Sequence, residues 1–191
     1  VIGRFQHDHF VAGATQAIMT ALGALTAAGD EVIVLEPAYD CYLPSIELAG
    51  AVAVRVPLDA TRNYAVDWDR VRAAITPRTR LLMINFPHNP TGQVLDSADL
   101  RALEHIVAST GIKLLSDEVY EHIVFDGRLH QSIARSALLA ASSVLVSSFG
   151  KTFHTTGWKL GYTCAPAALT AEIRKVHQFM VFAVSTPMQF G

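Results

Sequence analysis

The stretch SSFGKTFHTTGWKLGY, residues 147–162, places Lys151 directly after an apolar run and a glycine. Lysines are rarely buried, and a desolvated lysine loses proton affinity and becomes nucleophilic. Ser148, Thr152 and Thr155 offer it hydrogen bonds without a countercharge. Amines in such surroundings form Schiff bases with carbonyl groups. Asp117 closes the apolar run IKLLSD. A carboxylate there needs a partner or it is neutralised; the same residue also reads as a helix N-cap. Tyr120 lies three positions on. Asn89 opens the turn Asn89-Pro90-Thr91-Gly92, in which Pro90 holds Asn89 extended and fixes its amide. Gly13, Ala14 and Thr15 open a helical stretch, whose free N–H groups and positive dipole end suit an anion; they also read as an ordinary helix start with small residues. Tyr39, in EPAYDCY, is either a plate for a flat ligand or a core aromatic. Lys159 is either a second cation near the anion site or a solvated surface lysine. A phosphorylated, planar pyridine aldehyde needs these parts together: a lysine for its aldehyde, an acid for its ring nitrogen and a cradle for its phosphate.

Such residues meet only if the chain brings them to one place. Seven short, β-branched runs read as strands: 10–12, 31–35, 52–56, 81–85, 112–116, 144–148 and 160–164. Between them lie stripes at helical spacing: Ile18, Ala21, Leu22 and Leu25; Leu100, Leu103, Ile106 and Val107; Leu169, Ile173, Val176 and Met180. Alternating strands and helices predict an α/β domain with a mainly parallel sheet. Such sheets bind ligands past the carboxyl ends of their strands. Gly13, Tyr39, Asn89, Asp117 and Lys151 each stand at or just beyond a predicted strand end. Glu36-Pro37 and Asn89-Pro90 are candidate cis peptides.

The 191 residues carry a formal net charge of −2, so there is no basic field to hold nucleic acid. Residues 10–29 carry no charge, but their alanine, glycine and threonine content and acidic flanks fit a strand and a buried helix rather than a membrane span. No leader is visible at the start. Cys41 and Cys164 lack CxxC spacing, which suits a reducing, cytoplasmic setting. His7, Asp8 and His9 read as a solvated loop rather than a metal site.

The stretches AGATQAI, GDEVIVLEPAYDCYLP, NFPHNPTG, SDEVYEHIVF, SSFGKTFHTTGWKLGY and AEIRKVHQFMVFAVSTPMQ cover almost the whole chain. In that order they resemble the fold-type I pyridoxal-phosphate enzymes, specifically the class I/II aminotransferases of the methionine (2-oxo-acid) and kynurenine type. The resemblance implies a three-layer α/β sandwich whose mainly parallel sheet has one antiparallel strand. It implies pyridoxal 5'-phosphate as cofactor. Lys151 would be the Schiff-base lysine and proton carrier, and Asp117 would face the pyridinium nitrogen. Asn89 and Tyr120 would bond the ring's 3-oxygen, and Tyr39 would stack on the ring. Gly13, Ala14, Thr15, Ser148 and Lys159 would form the phosphate site; many family members have arginine where Lys159 stands. The implied reaction moves an amino group from a methionine-like or aromatic amino acid to a 2-oxo acid, in a homodimer, with neither nucleic acid nor membrane as partner. Family chains are about twice this length, so residues 1–191 correspond to the central part of the large domain. The N-terminal arm, the small domain and the arginine that binds the substrate carboxylate have no counterpart here. The same cofactor also serves carbon–sulfur β-lyases, and related domains act as ligand sensors or non-catalytic modules.

Overall fold

The computed structural model describes residues 7–190. Seven strands form one sheet: β1 (His7–Val11), β2 (Glu31–Glu36), β3 (Val52–Pro57), β4 (Thr79–Asn85), β5 (Lys113–Asp117), β6 (Ser143–Ser148) and β7 (Gly161–Ala165). Their order across the sheet is β1-β7-β6-β5-β4-β2-β3. All neighbours run parallel except β7, which is antiparallel to both β6 and β1. Each predicted strand is present, displaced by at most a few residues. One difference bears on His9: residues 7–11 form an edge strand rather than a loop. The His9 ring lies edge-on to His177, with centroids 4.6 Å apart. The side chains of His7 and Asp8 lie outside the described residues.

Alternate residues of the central strands bury on opposite faces, as the two-residue period of a strand demands. Ile33, Leu35, Leu82, Ile84, Leu114 and Leu145 pack into one cluster with Leu103 and Ile106 of α4 (Ser97–Thr110) and Leu139 of α5 (Ala137–Ala141). Val32, Val34, Leu81, Met83, Leu115, Val144 and Val146 pack into the other. That second face is covered by α1 (Ala14–Leu25), α2 (Tyr42–Leu48) and α7 (Ala167–Met180). The result is three layers. Strands buried on both faces read as continuous apolar runs, which is how a sheet inside an α/β sandwich must read.

The uncharged run 10–29 resolves into the end of β1 and the twelve-residue α1. No described helix is long and apolar enough to cross a membrane. The stripe expected on α7 is rotated: Thr170, Ile173 and His177 are buried, whereas Met180 is 47% exposed. The remaining helices are α3 (Trp68–Ala73), α6 (Phe149–Thr152) and α8 (Thr186–Phe190).

Candidate active site

Strand direction gathers the site. β2, β4, β5, β6 and β1 all end at one edge of the sheet, and the antiparallel β7 starts there. Gly161 pairs with both Val11 and Ser148. Asn85 and Asp117, the last residues of their strands, are register partners. One cavity opens at this edge. Gly13, Ala14, Thr15, Tyr39, Asn89, Asp117, Tyr120, Ser148, Lys151 and Lys159 all line it, together with Tyr42 and Asn85. The expected residues come from six separate stretches of chain, and the fold brings every one of them to this cavity.

The anion end is built by close approach. Gly13 has φ 86°, a left-handed conformation that suits glycine, and hands the chain from β1 to α1. No side chain caps α1, so its first N–H groups face the cavity mouth without an intrahelical acceptor. Lys159 also takes a left-handed conformation, with φ 55°. Gly161 has no room for a side chain: a Cβ there would lie 2.9 Å from the Ser147 carbonyl oxygen and 3.1 Å from Gly13. The absent side chain lets β7 press the Gly13 turn against Ser148.

At the other end lies Asp117, 4% exposed. Burial pushes its carboxyl up from 3.8 to about 6, against the hydrogen bonds from Tyr42 and Val119 and the charge of Lys151; the neighbouring Glu118 charge adds to the rise. Tyr42 Oη donates to Asp117 Oδ2 at 2.6 Å, and the Val119 N–H reaches Oδ1 at 3.3 Å. The segment after β5 is a turn, so Asp117 does not cap a helix. Asn85 bridges the two strand ends: its Nδ2 donates to the Asp117 carbonyl at 2.8 Å, and its Oδ1 accepts from the Asn89 N–H at 2.9 Å. Asn89 Nδ2 in turn lies 3.5 Å from Tyr120 Oη. His88, buried beside this turn, contacts Thr91 Oγ1 through Nδ1 at 2.7 Å and stacks on Phe86. Both candidate cis peptides, Glu36-Pro37 and Asn89-Pro90, are cis, as is Phe86-Pro87. Burial raises the Tyr39 phenol, and Thr15 lies within hydrogen-bond reach of it.

Lys151 differs from expectation. It is exposed rather than buried, because β6 ends at Ser148 and the one-turn helix α6 carries the side chain past the core to the rim of the cavity. Its Nζ lies 5.7 Å from the centroid of the Tyr120 ring. Tyr42 and Asn85 had no signal as site residues in the sequence, since their partners lie 75 and 32 positions away. Just outside the cavity, Glu118 is 2% exposed and ties the following loop down: it accepts from Ser116 Oγ at 3.0 Å and Ile133 N–H at 3.1 Å, and pairs with His130 Nε2 at 2.7 Å. Among the described residues, no group of three or more His, Cys, Asp or Glu side chains is placed to hold a metal ion.

The donor set fits a phosphorylated heteroaromatic aldehyde. It offers an uncapped helix start beside a lysine, a buried carboxylate, an amide next to a phenol, and a primary amine at the rim. Comparison with known proteins leads to the same chemistry. The profile of the family described as "Aminotransferase class I and II" matches residues 9–190. The chain is 48% identical over 180 residues to "Methionine aminotransferase" of Escherichia coli (strain K12), covering 94% of this chain and 46% of that protein. It is 33% identical over 193 residues to "Kynurenine--oxoglutarate transaminase" of Dictyostelium discoideum, covering 93% of this chain and 44% of that protein. Among solved structures, YbdL from Escherichia coli, reported with a methionine aminotransferase function, superposes with a TM-score of 0.92 at 47% identity, over 95% of this chain and 48% of that one. The chain thus spans about half the length of these relatives.

Proposed function

We propose that this chain, which belongs to the aminotransferase class I and II family, is the central, cofactor-holding part of an enzyme that moves an amino group from an amino acid to a 2-oxo acid. The family uses pyridoxal 5'-phosphate, and the convergence of residues from six stretches of chain on one cavity carries the reading. When bound, the cofactor supplies an aldehyde carbon for amines and a ring that draws electrons from the substrate α-carbon. Asp117 would hold the proton on the ring nitrogen. Asn89 and Tyr120 would hydrogen-bond the 3-oxygen, and Tyr39 would cover the ring face. The N–H groups of Ala14 and Thr15, the Ser148 hydroxyl and the Lys159 ammonium would hold the phosphate. Lys151 would hold the cofactor through its amine and, when that amine is free, would be the base and acid that carries the substrate α-proton. Its position at the rim, on a short helix rather than in the core, gives Nζ room for that movement.

Residues 1–191 then form the middle of a large domain. A methionine-like or aromatic amino acid is the donor, by analogy with the relatives named above. The setting is cytoplasmic and the whole protein a homodimer. The test is direct. The chain is mixed with pyridoxal 5'-phosphate, reduced with borohydride, digested and mapped by mass spectrometry. The adduct is expected on Lys151 and lost in K151A; an adduct confined to other lysines, or none, overturns the assignment. With the full-length protein, amino transfer from methionine to a 2-oxo acid tests the reaction, and pyruvate release from a cysteine conjugate in its place would indicate β-elimination.

A further inference from the structure

Tyr42 sits in the second cluster of the core, 3% exposed, on the first turn of α2. A phenylalanine would fill the same space. The tyrosine instead buries a hydroxyl whose hydrogen bond runs to Asp117 Oδ2 at 2.6 Å, the length of a charge-assisted O–H···O⁻ bond. Burial, and then the Asp117 charge, hold the Tyr42 phenol well above its usual value of 10, so it stays a proton donor throughout the working range. The groups facing Asp117 are Tyr42, Cys41, Glu118 and Lys151; Tyr42 in turn faces Cys41 and Tyr120. Tyr42 is thus the side-chain donor that favours an ionised carboxylate, in a place where burial works against one. The same turn steadies Tyr39: the Tyr42 N–H bonds the Tyr39 carbonyl at 3.1 Å, and the two rings meet edge-on with centroids 5.6 Å apart.

We propose that Tyr42 is a positioning residue that acts through Asp117, keeping the carboxylate ionised and oriented towards the bound ring nitrogen. The role rests on the reading of the site as a pyridoxal-phosphate cavity. It assigns to the segment that runs from the loop after β2 into α2 two tasks at once: Tyr39 for the ring face, and Tyr42 for the acid.

The test separates the coupling from the cofactor. In the cofactor-free chain labelled with ¹³C-aspartate, the Asp117 carboxyl is titrated by NMR in wild type, in Y42F, and with 3,5-difluorotyrosine placed at position 42. Loss of the hydroxyl is expected to raise the proton affinity of Asp117 about tenfold or more, one pKa unit or ~1.4 kcal/mol. The more acidic difluorophenol keeps the fold and shifts the titration the other way. In a D117N background the Y42F substitution is expected to lose most of its effect on stability, which a purely packing role would retain. Titration with pyridoxal 5'-phosphate is expected to show at least tenfold weaker binding to Y42F than to wild type. An Asp117 titration identical in all three proteins overturns the proposal. Wild type that fails to take up pyridoxal 5'-phosphate overturns the functional reading, while the carboxyl titration still decides whether Tyr42 controls Asp117.

Discussion

Replacing Asp117 with asparagine should make the cofactor-free protein more stable at neutral pH, because the acid is held where its charge is costly. Its carboxyl rises from 3.8 to about 6 on folding, chiefly through burial. Below pH 3.8 the group is neutral in both the folded and the unfolded chain and has no effect. As pH rises through 6 the unfolded chain has already released the proton and the folded chain releases it late, so stability is lost. Two pKa units correspond to about 3 kcal/mol at neutral pH. D117N removes that term but turns an amide N–H towards one of the two donors, Tyr42 Oη or Val119 N–H, which returns about 1 kcal/mol. The net expectation is stabilisation by about 2 kcal/mol at pH 7.5. For a domain of this size that raises Tm by about 4–8 °C. The gain should shrink as the pH falls below 6 and turn into a loss of about 1 kcal/mol below pH 3.8, where the charge term is absent and the lost hydrogen bond remains. Thermal unfolding followed by circular dichroism across that pH range measures it. Equal stability at pH 7.5, or a gain that does not depend on pH, would refute the reasoning. With pyridoxal 5'-phosphate added the order should invert, since a protonated ring nitrogen relieves the buried charge only in wild type.

G161A should press a methyl group into the Ser147 carbonyl and the Gly13 turn; a loss of about 1–3 kcal/mol in urea unfolding is expected, with weaker competition by inorganic phosphate for the cofactor site. E118A should leave the Ile133 N–H and the Ser116 hydroxyl without their buried acceptor, costing about 3 kcal/mol, and limited proteolysis should cut first between residues 118 and 133. His88, whose imidazole is pushed down to about 4 by burial, favours the fold while neutral. That contribution is complete above pH 6.5 and is lost as pH falls towards 4, so H88Q should flatten the acid limb of the stability profile, read by thermal unfolding at stepped pH.

Much of this was legible in the chain because a sheet covered on both faces needs unbroken β-branched runs, and those runs end where chemistry begins. Val144–Ser148 and Leu81–Asn85 announce themselves in that way. Which side of a helix faces inward is harder. On α7 the periodicity favours Leu169, Ile173, Val176 and Met180, yet Thr170 and His177 are buried with Ile173, the Thr170 hydroxyl donating to the Ala165 carbonyl of β7 and the His177 ring packing edge-on against His9 of β1. The exposure of Lys151 was hidden by one turn of helix, which lies between the end of the apolar run and the amine. Tyr42 and Asn85 act through partners that only the folded sheet supplies.

The reversed direction of β7 has a consequence for how the molecule is made. β1 touches the sheet only through β7, which is inserted between β1 and β6. Of the seven described strands β1 comes first in the chain, so it waits, unpaired, for a partner about 150 positions downstream, one of the longest closures the topology contains. Until that late insertion the anion pocket lacks one wall, so the nascent protein cannot capture its cofactor early, and any truncation upstream of Gly161 should yield a chain in which β1 has no strand to pair with and α1 keeps only α2, β5 and β6 to pack on.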